Sequence, residues 1–74
     1  MNNVVGSRVR QARLEKTPKM SQRELAEQLQ LLGLDLGRSE ISKIEIGERR
    51  VTDFEVVKLA DVLKVTDSWL LRGE

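Results

Sequence analysis

Ser21-Gln22-Arg23-Glu24-Leu25-Ala26 and, further along, Ile41-Ser42-Lys43-Ile44-Glu45-Ile46-Gly47 are the stretches that decide how this chain folds. In the first, the Ser21 hydroxyl is placed to accept from the opening amides of a helix, while Glu24 can reach back to the Ser21 amide, a reciprocal capping box. Leu25, Ala26 and Leu29 then supply a buried stripe at helical spacing, with Leu32 as an extension and Gly33 as a left-handed stop, so the spacing predicts a helix over 21–32. In the second, Ile41 and Ile44 lie i, i+3, with Arg38, Ser39, Ser42 and Lys43 around the other side. A short, mostly exposed helix over 38–46 follows, stopped by Gly47. Between the two, Gly33-Leu34-Asp35-Leu36-Gly37 has glycines at both ends and leucines inside, which predicts an ordered loop that tucks apolar side chains under the fold.

Outward from this pair, Val5, Val9, Ala12 and Leu14 mark an N-terminal helix over 4–16, interrupted where Pro18 removes an amide donor and disfavours helix at Thr17. On the other side Thr52 and Glu55 form a second capping box opening a helix over 53–64, whose buried side reads as Phe54, Val57, Leu59 or Ala60, and Leu63. Thr66-Asp67 opens a last turn over 67–71 carrying Trp69 and Leu70. Trp69 and Leu71 either cover the core from below or form an apolar patch through which two copies meet. The expected core is Leu25, Ala26, Leu29, Ile41, Ile44, Phe54, Val57, Leu59, Ala60, Leu63 and Leu70, with Ala26 small because the central helices cross closely there. The expected fold is all-α, a compact bundle of about five helices in one domain over 1–74, without repeat or linker.

Composition narrows the functional classes. The chain has no cysteine and no histidine, so a disulfide framework or a cysteine/histidine zinc site has no ligands. There is also no glycine-rich phosphate loop and only scattered carboxylates, which argues against an enzyme and against a cofactor or metal. No apolar run approaches the roughly 20 residues that span a bilayer, and Met1–Gly6 is too short for a signal peptide, so a cytoplasmic protein without a membrane partner is expected. The net charge of +1 says little, but its distribution does: residues 1–50 hold ten Lys/Arg against seven Asp/Glu, and residues 51–74 three against five. A polyanion would meet the N-terminal part.

Ser21-Gln22 with Leu25-Ala26, then Ile41-Ser42-Lys43-Ile44-Glu45-x-Gly47, then Leu59-Ala60 and Leu63-Lys64-Val65, taken in order, resemble the Cro/repressor (xenobiotic-response element) helix-turn-helix family over nearly the whole chain. The resemblance implies a lambda repressor-like domain that binds double-stranded DNA sequence-specifically as a transcriptional regulator, expected to be a bacterial or phage-type repressor. It differs from the family pattern in a longer connection around residues 31–37, which alters how the reading helix sits on its scaffold.

In such a motif the second helix enters the major groove. Carried across by position, Arg38, Ser39, Ser42 and Lys43 match the base-facing residues, with Arg38 and Lys43 leading because Arg or Lys to guanine is the commonest specific contact. Outside the motif the same four would read as solvated polar residues. Gln22 matches the family's phosphate-contacting glutamine at a helix N-terminus, and Arg49 and Arg50 match its basic turn on the DNA backbone. Arg8 and Lys19 are weaker backbone candidates, and Glu40 either accepts from a cytosine or pairs with an arginine, the pairing being preferred. Arg13 and Glu45 match a structural ion pair. One helix reads few base pairs, so a homodimer on a palindromic operator is expected, with no small-molecule ligand evident. The rival is an antitoxin or adaptor module that works through protein contacts; charge concentrated on 38–50 favours DNA.

Overall fold

A computed structural model describes residues 4–74, so the first three residues of the expected 1–74 domain lie outside the described residues. The elements are α1 (Val4–Leu14), α2 (Gln22–Leu31), α3 (Arg38–Glu45), α4 (Asp53–Leu63) and α5 (Asp67–Arg72), and no strand occurs among the described residues. The protein is all-α. The two capping boxes form at the N-termini of α2 and α4: Ser21 accepts from the Glu24 amide and Thr52 from the Glu55 amide, each glutamate returning to the cap amide. α5 opens on Thr66, whose hydroxyl accepts from the Trp69 amide. The starts of α2, α4 and α5 are thus written in a Ser or Thr that satisfies an amide the helix cannot.

α1 stops at Leu14, two residues before the expected 16, because the chain turns back ahead of Pro18 and the Met20 amide donates to the Arg13 carbonyl at 3.0 Å. Gly33 and Gly47 both take positive φ, at 84° and 81°, just after α2 and α3, where a side chain would be strained. The connection between α2 and α3 buries Leu36 and half-buries Leu34, so the longer turn is a packed excursion; Leu31 and Leu32 stay exposed.

The core gathers Val5, Val9 and Ala12 of α1, Leu25 and Leu29 of α2, Ile41 and Ile44 of α3, Val56, Leu59, Ala60 and Leu63 of α4, and Leu70 of α5. Two expectations fail. Phe54 is 58% and Val57 44% exposed, and the buried stripe of α4 is instead Val56, Leu59, Ala60, Leu63. That set runs i, i+3, i+4, i+7, a full stripe, whereas Phe54 and Val57 lie on the neighbouring face. Lys58 covers that face in part, its ammonium 5.1 Å from the Phe54 ring centre. Trp69 packs against the core from the α5 side and Leu71 is exposed. Ala26 is half-buried against the core. A close approach the sequence reading did not include is at Gly6 of α1, where a Cβ would run into the backbone carbonyl of Ile44. α3 therefore lies directly on α1 as well as against α2.

Candidate nucleic-acid interface

α3 buries Ile41, Ile44 and Glu45 and turns Arg38, Ser39 and Lys43 outward, so its amphipathic pattern decides which side chains another molecule can reach. Arg38, Ser39 and Lys43 are exposed and Ser42 is half-buried. Gly37 provides the extended N-cap of α3 without a side-chain hydrogen bond, so the first turn, with Arg38 and Ser39, is not covered by its own cap. Four neighbouring polar residues thus occupy the outward part of one short helix.

The C-terminal end of α3 is fixed from inside. Arg13 sends Nε and Nη2 to the two oxygens of Glu45 at 2.8 and 2.9 Å, a bidentate pair with side chains 10% and 2% exposed. Nη1 of the same guanidinium donates to the Met20 carbonyl at 2.9 Å. The hydrogen bond with Glu45 holds the Arg13 pKa above its ordinary value, against desolvation. Gln22, in the first turn of α2, joins this group: its Nε2 donates to Glu45 Oε1 at 3.0 Å. No local pattern signals that bond, which joins residues twenty-three positions apart. It orients the carboxamide at the helix N-terminus and leaves Nε2 a second hydrogen to offer.

The turn from α3 to α4 holds a second arginine group. Arg49 donates from Nη1 and Nη2 to the two oxygens of Glu55, at 3.0 and 2.9 Å, and from Nη1 to the Arg50 carbonyl at 3.0 Å. Its Nε lies 3.2 Å from Glu40 Oε2, so Glu40 is paired with an arginine. The Glu55 hydrogen bond raises the Arg49 pKa, and the Arg49 hydrogen bond holds the Glu55 carboxyl below the usual range despite burial. Arg50, the next residue, is exposed, as is Lys19. Arg8 lies elsewhere: its Nη1 donates to the Leu70 carbonyl at 3.1 Å, at the end of α5. The sequence reading missed Glu55 as a partner of Arg49, although its place in the capping box fixes its carboxylate beside that turn.

Among the described residues no group of three or more His, Cys, Asp or Glu is placed to hold a metal ion, and no helix is long and apolar enough to cross a membrane. Searches of curated proteins and of solved structures found no match. A comparison with family models did: the Helix-turn-helix model matches residues 9–70, from within α1 to within α5. With α2 and α3 forming the paired helices and the match spanning most of its length, the chain belongs to the Cro/repressor-type helix-turn-helix family, whose members are DNA-binding domains of the transcription-regulator kind and typically not enzymes.

Proposed function

We propose that the protein is a sequence-specific double-stranded DNA-binding regulator, a repressor by its family type, in which α3 reads the major groove. One observation carries the reading: Arg38, Ser39 and Lys43 are exposed and Ser42 is half-buried on the very helix that the motif sends into the groove, while its other side is anchored in the core. In this reading Arg38 and Lys43 address guanine O6 and N7, and Ser39 and Ser42 accept or donate to neighbouring base edges. The N-terminus of α2, with Gln22 and its early amides, and the exposed Arg50 hold the phosphate backbone and fix position without reading sequence. Arg49 stands in the same basic turn, but Glu55 and Glu40 already occupy most of its fork.

Two copies spaced about one helical turn apart would read a palindrome, which makes a homodimer on the operator part of the proposal. As a regulator of the bacterial or phage type, it would work in the cytoplasm. The rival reading, an antitoxin or adaptor that acts through protein contacts, draws support from exposed Phe54, Val57 and Leu71. Selection of binding sites from a random duplex library, repeated with Arg38→Ala and followed by affinities across a salt series, separates the two. A palindromic motif that loses preference at one position in the variant supports base reading by α3. No enriched motif, or weak salt-sensitive binding indifferent to Arg38, supports the protein-contact module.

A further inference from the structure

We propose that Arg49 is a positioning residue that sets the angle of the reading helix, and not a backbone contact. The proposal rests on α3 reading DNA, as above. Glu40 stands in the first turn of α3, beside Arg38 and Ser39, and Glu55 stands in the first turn of α4. Arg49 bridges them: its Nη1 and Nη2 close a two-bond fork on Glu55 at 3.0 and 2.9 Å while its Nε edge faces Glu40 at 3.2 Å. A guanidinium is planar, so the direction of one carboxylate from its Nη edge fixes the direction of the other from its Nε edge.

Glu55 is itself immobilised, 7% exposed, with Oε1 also accepting from the Thr52 amide at 3.0 Å. The orientation therefore passes from the α4 cap through Arg49 to the N-terminal turn of α3, the end that enters the groove. Drawing Arg49 out to a phosphate would break this fork and leave two carboxylates facing a polyanion. Arg50, exposed and next in sequence, can meet a phosphate without that loss.

Charge and geometry give opposite signs for one substitution. Glu55→Gln removes a negative charge, so electrostatics alone predicts tighter binding to any duplex. A glutamine can still serve the capping box with Thr52, but it cannot hold the bidentate ionic fork. If Arg49 positions α3, Glu55→Gln lowers the ratio of selected-site to random-duplex affinity by roughly fivefold to tenfold, with random-duplex affinity equal or higher. Arg49→Lys is the second variant, since a lysine keeps a phosphate contact but not the fork. It is expected to lower the same ratio with the random-duplex salt slope unchanged. Arg50→Ala, as the reference phosphate contact, is expected to weaken both affinities alike and reduce the slope by about 0.9.

The measurement is affinity for the selected duplex and for a random duplex over a salt series, for wild type and the three variants, below the unfolding temperature of each. A Glu55→Gln protein that binds both duplexes more tightly with the ratio unchanged, or an Arg49→Lys protein with wild-type ratio, would overturn the proposal; if Glu55→Gln does not fold, Arg49→Lys decides. A wild-type protein that selects no site is a different failure, since it removes the DNA-reading function on which the positioning role rests.

Discussion

The two ends of α3 are held by two arginines in different surroundings. At the C-terminal end Arg13 and Glu45 close a bidentate pair with side chains only 10% and 2% exposed, between α1 and α3. At the N-terminal end Arg49 reaches Glu40 and Glu55 with side chains 28%, 40% and 9% exposed. The chemistry is the same but its consequences differ. Breaking a buried pair leaves an uncompensated charge away from water, whereas at a half-exposed pair water replaces much of what is lost. The inner arginine therefore secures the fold, and the outer one adjusts the aim of a helix already secured.

The largest expected effect breaks the inner end. Arg13→Ala or Glu45→Ala is expected to lose about 3–5 kcal/mol in denaturant unfolding, a large part of the stability of so small a domain. A loss under about 1 kcal/mol would erase the contrast between the two ends. Next is Gly6→Ala, which attacks the same end through packing. Alanine improves helix propensity by about 1 kcal/mol, but its Cβ meets the Ile44 carbonyl, and backbone on backbone has no rotamer with which to yield. A net loss of about 1–3 kcal/mol in unfolding free energy is expected; a stabilised variant would show that α1 and α3 do not touch there.

Much of this arrangement is legible in the sequence, for a physical reason that also marks its limit. Ser21 with Glu24 and Thr52 with Glu55 are local signals, since a capping box lies within one helical turn, and both give the correct starts. Gly33 and Gly47 give stops for the same reason. The phase of α4 is legible too, but only by spacing: Phe54 is the largest apolar side chain there, yet Val56, Leu59, Ala60 and Leu63 form the stripe, so spacing outweighs size. Gly6 was not legible, because a glycine needed for a helix crossing looks like any other until its opposite carbonyl is known. The pairing of Arg13 with Glu45 came only from family resemblance, and the Gln22 bond to Glu45 came from neither source. Such contacts between distant residues leave no periodic trace in the chain. At the candidate site, exposure of Arg38, Ser39 and Lys43 followed from amphipathicity, whereas the capture of Arg49 by Glu55 did not.

Smaller effects sharpen the outer end. The Glu55 carboxyl has its pKa lowered by Arg49, so it contributes stability above its unfolded value of about 4.3, and that contribution is lost as pH falls through its lower folded value. Thermal unfolding between acid and neutral pH should therefore show a larger drop for wild type than for Arg49→Gln, the difference being about 1 kcal/mol or less; parallel curves would mean that Arg49 does not hold Glu55 in solution. Smallest in stability is Glu40→Gln, expected to change unfolding by under about 0.5 kcal/mol because its pair is half-exposed. Its expected signature is a broadened base preference at the positions read by the first turn of α3, seen by repeating the site selection. A sharp, unchanged motif would confine orientation of α3 to the inner end alone.

That α3 is the reading helix is tested most directly by titrating the isotopically labelled protein with its selected duplex and following every backbone amide by NMR. The largest shifts are expected in Arg38–Lys43, the first turn of α2 at Gln22 and Arg23, and the turn at Arg49 and Arg50, with α5 unmoved. Shifts centred instead on the outer side of α4, around Phe54, Val57 and Asp61, with α3 silent, would contradict it.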